Sequence, residues 1–341
     1  MANYGTIAKQ RSPQKQVIYL MSTITDNIEL AIQYLREAEV VAIPTETVYG
    51  LAGNAENETA IKKIFTLKNR PLTHPLIVHV AKDCDLTKWV ASIPDYAQTL
   101  INNFWPGPLT IVFNLKPGSI SPLVTGGQNT IAIRCPQHPV AQSLLQALDF
   151  PLVAPSANPF GKISPTTSAH VRHSFQDQSL LILEGGRCGV GIESTIVDAT
   201  NPDTYQILRH GMLTEQAIGD ILPGKQHAHT NTIRVPGKLD SHYQPEKPLH
   251  CFENRQNLLE FCRSNNDVYV LSFAKNTDFC QLPGYQLPDN PEQFAFELYY
   301  QLRLADDSPA SSIAIELPPE QEQWAGIRER LLKAATKNSP Q

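Results

Sequence analysis

Short apolar runs alternate with stretches of helical period along most of this chain, and that alternation leaves few folds open. "VVAIP", "PLIVHVA", "PLTIVFNL", "TIAIRC", "PLVAPSA", "LLILEGG", "STIVDAT" and "YQILRHG" are too short for helices and too apolar for loops, so they read as strands. Helical patterns separate many of them. "DNIELAIQYLREAE" sets Ile28, Ala31, Ile32 and Leu35 on one face, with Asp26 as the expected cap. "ETAIKKIFTLKNR", "YAQTLINNFW", "PVAQSLLQALD", "SAHVRHSF" and "LTEQAIGDIL" continue the rhythm. Interleaving of this kind predicts an α/β fold with a mixed sheet over residues 24–222.

The pattern stops at Pro223. Residues 223–247 hold three prolines, two glycines and three histidines with little apolar periodicity, and read as a linker. A second α/β rhythm follows over 248–336, from "LHCF" through "VYVLSF" and "SSIAIEL" to "WAGIRERLLKAA", and predicts a smaller Rossmann-like domain. Residues 1–23 form a polar extension, and the closing "KNSPQ" is expected to be disordered. A chain of 341 residues with 41% hydrophobic content can fill two cores.

Composition also excludes functions. A net charge of −5 argues against a broad nucleic-acid surface, so no stable nucleic-acid binding is expected. The six cysteines form no CxxC pair and no zinc spacing, and read as thiols in a reducing cytosol, a cytoplasmic setting. No run reaches the length of a membrane span, and "VIYLM" is too short for a signal peptide. "NET" at Asn57 is then a chance sequon. A P-loop, a GxGxxG fingerprint, HExxH and GxSxG are all missing, so a nucleotide would have to be held by other means.

Polar residues gather where the strands end. In "PTETVYGLAGNA", Thr45, Glu46 and Thr47 follow a strand, with Gly50 and Gly53 expected to turn the chain; the threonines either pack a turn or present hydroxyls to a ligand. Lys68 and Arg70 close a helix, where they either complement its dipole or bind phosphate. His79 and Arg134 lie inside apolar strands. A buried arginine needs a carboxylate, from the protein or from a ligand. "LVAPSANPFGKISPT" leaves its strand for a segment stiffened by Pro155, Pro159 and Pro165. "GGRCGVGIEST" carries Glu193, Ser194 and Thr195 after a glycine loop, either a turn or an anion-binding nest, and Arg209 ends another strand. Thr47, Arg134, Ser156, Ser194 and Arg209 thus point to one pocket, with Lys68 and Arg70 nearby. Hydroxyls with one arginine suit a hydroxy amino acid, and several cations suit a polyphosphate.

Taken in order, "PTETVYGL", "KNRPLTHPLIVHV", "FWPGPLTIVF", "TIAIRCP", "APSANPFGKISPT", "GIESTIVD" and "ILRHG" resemble the YrdC-like threonylcarbamoyl-AMP synthase family. "SHYQP" and the second domain resemble its long two-domain form. The resemblance implies a YrdC-like twisted mixed sheet with helices, plus a smaller C-terminal Rossmann-like α/β domain. It implies a nucleotidyltransferase that makes threonylcarbamoyl-AMP and pyrophosphate from L-threonine, bicarbonate and ATP, with Mg²⁺ accompanying the ATP and no metal site of the protein's own. A downstream transferase would place the group on tRNA beside the anticodon. By the same resemblance Thr47, His79, Arg134, Ser194 and the Ala154 backbone would contact threonine. Lys68, Arg70, His74, Thr130, Ser156, Ser164, Arg209 and Tyr243 would line the ATP, Lys68, Arg70, Ser156 and Asn158 would carry the catalytic signature, and Tyr243 would close over the nucleotide. His74 departs from an asparagine common in the family. An RNA-binding module, or a regulatory module that binds threonine or AMP without chemistry, is the alternative. The missing zinc-finger cysteines argue against the carbamoyl-transfer proteins of hydrogenase maturation.

Overall fold

The computed structural model describes residues 22–222, 226–227, 233–237, 242–274 and 282–336. The expectations for the N-terminal extension before Ser22, for the tail after Thr336, for the rest of the linker and for Cys280 lie outside the described residues.

A large mixed sheet forms the first unit. Its strands are β1 (Thr23–Thr25), β2 (Val41–Ile43), β3 (Gly50–Asn54), β4 (Ile77–His79), β5 (Leu109–Asn114), β6 (Thr130–Arg134), β7 (Leu152–Val153), β8 (Leu181–Leu183), β9 (Thr195–Asp198), β10 (Thr204–Arg209) and β11 (Gln226–His227). They lie in the order β1-β8-β2-β3-β7-β4-β6-β5-β9-β10-β11. Parallel β4 and β6 pair in a register that sets His79 beside Arg134. Both residues end their strands, so two chemically unusual side chains reach the same edge of the sheet.

Around it pack α1 (Ile28–Arg36), α2 (Glu58–Lys68), α3 (Asp95–Phe104), α4 (Pro122–Thr125), α5 (Pro139–Ala147), α6 (Ser168–Ser174) and α7 (Glu215–Ile221). The apolar stripe of α1 is buried as its period predicts, at Ala31, Ile32 and Leu35. Its cap is Asn27, whose side chain accepts from Leu30 N, and not Asp26; the helix begins one residue later than the charge pattern suggested. Asn57 of the sequon caps α2, accepting from Thr59 N and Ala60 N. Asn69 ends α2 in the left-handed conformation, turning the chain so that Lys68 points inward and Arg70 follows it.

The second unit is a parallel sheet of β12 (Leu249–Phe252), β13 (Val268–Ser272), β14 (Gly284–Gln286) and β15 (Ser312–Glu316), in the order β12-β15-β13-β14. With it go α8 (Arg255–Ser264), α9 (Pro291–Asp307) and α10 (Ala325–Ala334). This unit shares a core with the first. Val48, Ile163, Ile192 and Tyr243 pack in one buried cluster with Leu298, Tyr299 and Leu331. Among the described residues no helix is long and apolar enough to cross a membrane.

Three expectations need correction. Gly50 and Gly53 do not turn the chain; they lie within β3, where a Cβ would come to 3.0 Å from Ala154 Cβ and from Ile64 Cδ1 respectively, so their smallness serves packing. β1, β3, β11 and β14 were not expected as strands, because each is short or glycine-bearing and takes its shape from a neighbouring strand. The linker is also more structured than its composition suggests. Gln226 and His227 extend the large sheet in parallel with β10. Arg234 donates to Thr73 O and Gly126 O. Gln244 N donates to Gly161 O at 2.8 Å, and His242 N to Lys333 O at 3.1 Å.

The glycine loop before β9 is pressed against α9. A Cβ on Gly191 would meet Ala295 O at 2.2 Å, and its φ is +90°. At Gly161 φ is +85° with nothing within 4 Å, so that glycine serves its backbone angle rather than a close approach. Gly161→Ala should therefore cost about 1–2 kcal/mol of strain. Gly191→Ala should cost at least about 1–3 kcal/mol more, because the loop must leave α9. Denaturant titration of the two variants checks the ranking; equal losses would mean that the loop yields freely.

Candidate active site

At the strand ends lies a concave pocket enclosing about 620 Å³ of empty space, its opening to solvent included. Thr47, Lys68, Arg70, His79, Arg134, Ala154, Ser156, Asn158, Ser194, Arg209 and Tyr243 all line it. Residues scattered over nearly two hundred positions are thus brought to one place. Three others are not in this lining. Thr130 starts β6, at the opposite end of the strand from Arg134. Ser164 lies behind the wall and donates to Glu193 Oε1 at 2.6 Å. His74 stands outside, edge-on to Phe160 with ring centroids 5.2 Å apart.

Four of the lining side chains are cationic, and each is secured differently. Lys68 is 2% exposed and donates to the carbonyls of Ser156 and Asn158, which leaves one of its three protons for a ligand. Burial and the neighbouring Arg70 hold its pKa well below the ordinary value. Arg70 donates to Pro75 O at 2.8 Å and lies 5.5 Å from the centre of the Phe160 ring; burial lowers its pKa to about 10. Arg209 is the most committed, giving bonds to Ser194 O from Nε and Nη2 and to Pro236 O from Nη1. It acts on a ligand chiefly as a fixed charge.

Arg134 meets a protein carboxylate. Its Nη2 is 2.6 Å from Glu46 Oε1, and its Nη1 donates to Thr47 Oγ1 at 2.8 Å. Nε has no partner, and Nη1 and Nη2 each keep a second N–H, so a ligand carboxylate would meet an arginine already oriented from behind. His79 is buried, with Nδ1 3.1 Å from Ile77 O. A carbonyl can only accept, so Nδ1 carries the proton. Burial, then the charge of Arg134, pushes the pKa down to about 3, which keeps the ring neutral with Nε2 as an acceptor. Ala154 gives its N–H to Ile77 O, so its carbonyl is the backbone group left for a ligand.

The proline segment is pinned along its length. Leu51 N donates to Pro155 O, Ala157 N to Tyr49 O, Phe160 N to Lys68 O and Tyr49 N to Pro165 O. Ser156 and Asn158 are thereby held at the cavity wall.

Several buried polar atoms in this cavity lack a partner: Arg70 Nε, Arg134 Nε, Asn158 Oδ1, His242 Nδ1 and Tyr243 OH. They are half of the ten such atoms among the described residues. Buried polar groups are ordinarily hydrogen-bonded, so this concentration marks where a polar ligand completes the structure.

Sequence reasoning gave no site role to Glu46, Phe160, Glu193, His242 or Arg330. His242 had its signal, being adjacent to Tyr243 in "SHYQP". Arg330 had one too, standing on the same helical face as the buried Ile327, Leu331 and Ala334 of α10. Glu193 stood beside Ser194, but a sequence cannot tell which of its carboxylates turns inward.

Relatives share this architecture. The Sua5, YciO and YrdC family model, described as telomere recombination, matches residues 33–211. A second model, described as the C-terminal domain of threonylcarbamoyl-AMP synthase, matches residues 209–336. A Bacillus subtilis protein named threonylcarbamoyl-AMP synthase is 38% identical over 92% of this chain and 94% of its own length. A Pyrococcus abyssi protein of the same name is 34% identical over 90% and 94%. The crystal structure of P. abyssi Sua5 complexed with L-threonine superposes with a TM-score of 0.82, at 31% identity over 93% of this chain and 97% of that one. With both models matched and the relatives aligned over nearly their full length, the chain belongs to the YrdC-like threonylcarbamoyl-AMP synthase family, in its long two-domain form.

Proposed function

We propose that this protein is an L-threonylcarbamoyladenylate synthase, a nucleotidyltransferase that joins L-threonine, bicarbonate and the AMP part of ATP and releases pyrophosphate. The observation that carries the reading is the cavity itself, where four buried cations face a single lining carboxylate, Glu193, beside unpartnered donors. Such a site calls for an anionic ligand.

Threonine fits at the His79–Arg134 end. Its carboxylate meets Arg134, and its hydroxyl can donate to the neutral Nε2 of His79, with Thr47 and Ser194 beside them. The neutral amine attacks the carbon of bicarbonate, and its proton leaves with the displaced hydroxide as water, giving a carbamate; a carbamate oxygen then attacks the α-phosphorus as the bond to pyrophosphate breaks. Charge then grows on phosphate oxygens, where Lys68 and Arg70 stabilise it and Arg209 adds a fixed positive field. Ser156 and Asn158 orient the phosphates, and Tyr243 covers the nucleotide. His74, Thr130 and Ser164 lie outside the lining of this pocket.

Glu193 accepts from Ser164, Tyr299 and Arg330, so its oxygens are taken. The donor set therefore suits Mg²⁺ carried by the phosphates of ATP rather than by side chains, and the ion would supply further charge neutralisation there. The product is a mixed anhydride of a carbamate and a phosphate, an activated group, and its use calls for a transferase in the same compartment, the cytosol, with tRNA as the final acceptor.

Pyrophosphate release from Mg·ATP, with threonine and bicarbonate each omitted in turn, tests the reading. Release that needs both, and falls when serine replaces threonine, supports it; no release, despite a threonine-dependent rise in melting temperature, leaves a binding module. Arg70→Ala should lower turnover by about a hundredfold while shifting folding stability little, since only one hydrogen bond holds that guanidinium. Wild-type turnover at an unchanged melting temperature would remove Arg70 from the mechanism.

Acid should weaken the free protein early. His79 and His242 both have pKa values pushed down to about 3 by burial. Below the ordinary histidine pKa the unfolded chain takes up protons that the folded one refuses. Stability should thus fall with pH from about 6.5 toward 3, by up to about 1.4 kcal/mol per pH unit for each ring. Thermal melts across that range, with His79→Asn as reference, measure it. An unchanged slope in the variant would mean that His79 is protonated in the folded state.

A further inference from the structure

Among the described residues, the most completely buried charge outside the cavity lining belongs to the C-terminal domain. Arg330, on α10, is 1% exposed. Its Nε donates to Glu193 Oε2 at 3.0 Å and its Nη2 to Glu193 O at 3.3 Å. Its Nη1 donates to His210 O at 2.5 Å and to Gly326 O at 3.3 Å. Its Cζ also lies 5.5 Å from the centre of the Tyr243 ring. One guanidinium thus touches Glu193, which precedes Ser194, and His210, which follows Arg209. Those two neighbours form the cavity wall, where Arg209 Nη2 donates to Ser194 Oγ at 3.1 Å and Ser194 Oγ is 2.8 Å from Thr110 Oγ1.

The docking that brings Arg330 here is close. A Cβ on Gly326 would meet Gly211 O at 2.7 Å, so α10 rests directly on the segment that ends β10. On the other side Tyr299 of α9 donates to Glu193 Oε2 at 3.0 Å. The partners of Glu193 thus come from both units: Ser164 from the first, Tyr299 and Arg330 from the second. Arg187 anchors the loop leading to Glu193 in the same way, 3.7 Å from the centre of the Phe296 ring of α9.

We propose that Arg330 is a positioning residue of the reaction centre: it fixes the Glu193 carboxylate and the backbone beside Ser194 and Arg209, so that docking of the C-terminal domain sets the geometry of the cavity wall. The proposal rests on the synthase reading. A lysine at 330 keeps the positive charge opposite Glu193 but cannot span Glu193 and His210 together, because only the planar fork holds donors in that arrangement. Arg330 therefore separates into two roles, one of charge and one of shape.

The experiment uses the full-length protein and compares wild type with Arg330→Lys, Arg330→Ala and Tyr299→Phe, the last removing a donor to Glu193 without uncovering a charge. Pyrophosphate release gives kcat and the threonine KM, and melting temperature is recorded for each. Arg330→Lys should melt close to wild type yet lose about tenfold or more in kcat, the scale of a modest misplacement at an active site. Tyr299→Phe should lose less, and its effect should be non-additive with that of Arg330→Lys. Guanidinium at low, non-denaturing concentration should restore part of the turnover of Arg330→Ala. Wild-type kinetics in Arg330→Lys and Tyr299→Phe would overturn the proposal while leaving the synthase reading intact. So would losses that track melting temperature alone and that guanidinium does not relieve. An inactive wild type would overturn the synthase reading, and the positioning role with it.

Discussion

Burying four cations around one cavity is the constraint that shapes the rest of this molecule. Each cation leaves water at a cost of several kcal/mol unless something replaces its hydration. The replacements are specific. Lys68 is solvated by two carbonyls of the proline segment, Arg134 by Glu46 and Thr47, and Arg209 by the backbone of Ser194 and Pro236. Arg70 keeps a single bond and an aromatic face. The compensation is incomplete on the cavity side, and that residual demand suits an anionic ligand.

This accounts for the stiff proline segment. A hydrophobic strand ends at Val153, and the chain then supplies carbonyl oxygens to Lys68 instead of pairing them in a sheet. Prolines suit that task, because they lack the N–H that a longer strand would use and they restrict the backbone before any ligand binds. Binding energy is then not consumed in ordering the loop. The neutral state of His79 follows from the same surroundings, since a ring beside Arg134 and cut off from water does better without a proton.

Much of this was legible in the sequence, for definite reasons. Apolar runs of strand length showed the sheet, and polar residues at their ends showed where a ligand would sit, because a sheet edge is where side chains from distant segments converge. The position of His79 beside Arg134 follows from strand register, which a single sequence does not contain. The partner of Arg134 was left open between protein and ligand, and Glu46 answers it from two residues beyond a strand already recognised. Glycines were misread at positions 50 and 53, since a glycine kept for closeness and one kept for its angles look alike in a sequence. Arg330 escaped notice for another reason. Its whole meaning lies in Glu193, more than a hundred positions away, and only the packing of the second sheet's helices against the first unit brings them together.

The linker's attachments carry a consequence for timing. Gln244 is tied to the mouth of the cavity through Gly161, while its neighbour His242 is tied through Lys333 to α10. Lys333 also reaches back to Gly237 O in the cavity lining. Each such hydrogen bond contributes about 1 kcal/mol, and Tyr243 between them is buried in the core that both units share, so this segment lifts only as that packing yields. Because its two ends are held by different halves of the molecule, the residence time of a ligand is governed by the contact between those halves as well as by the ligand's own bonds. Anything that grips α10 more firmly therefore lengthens the stay of whatever occupies the cavity, and by thermodynamic reciprocity the occupied cavity holds the two halves closer together.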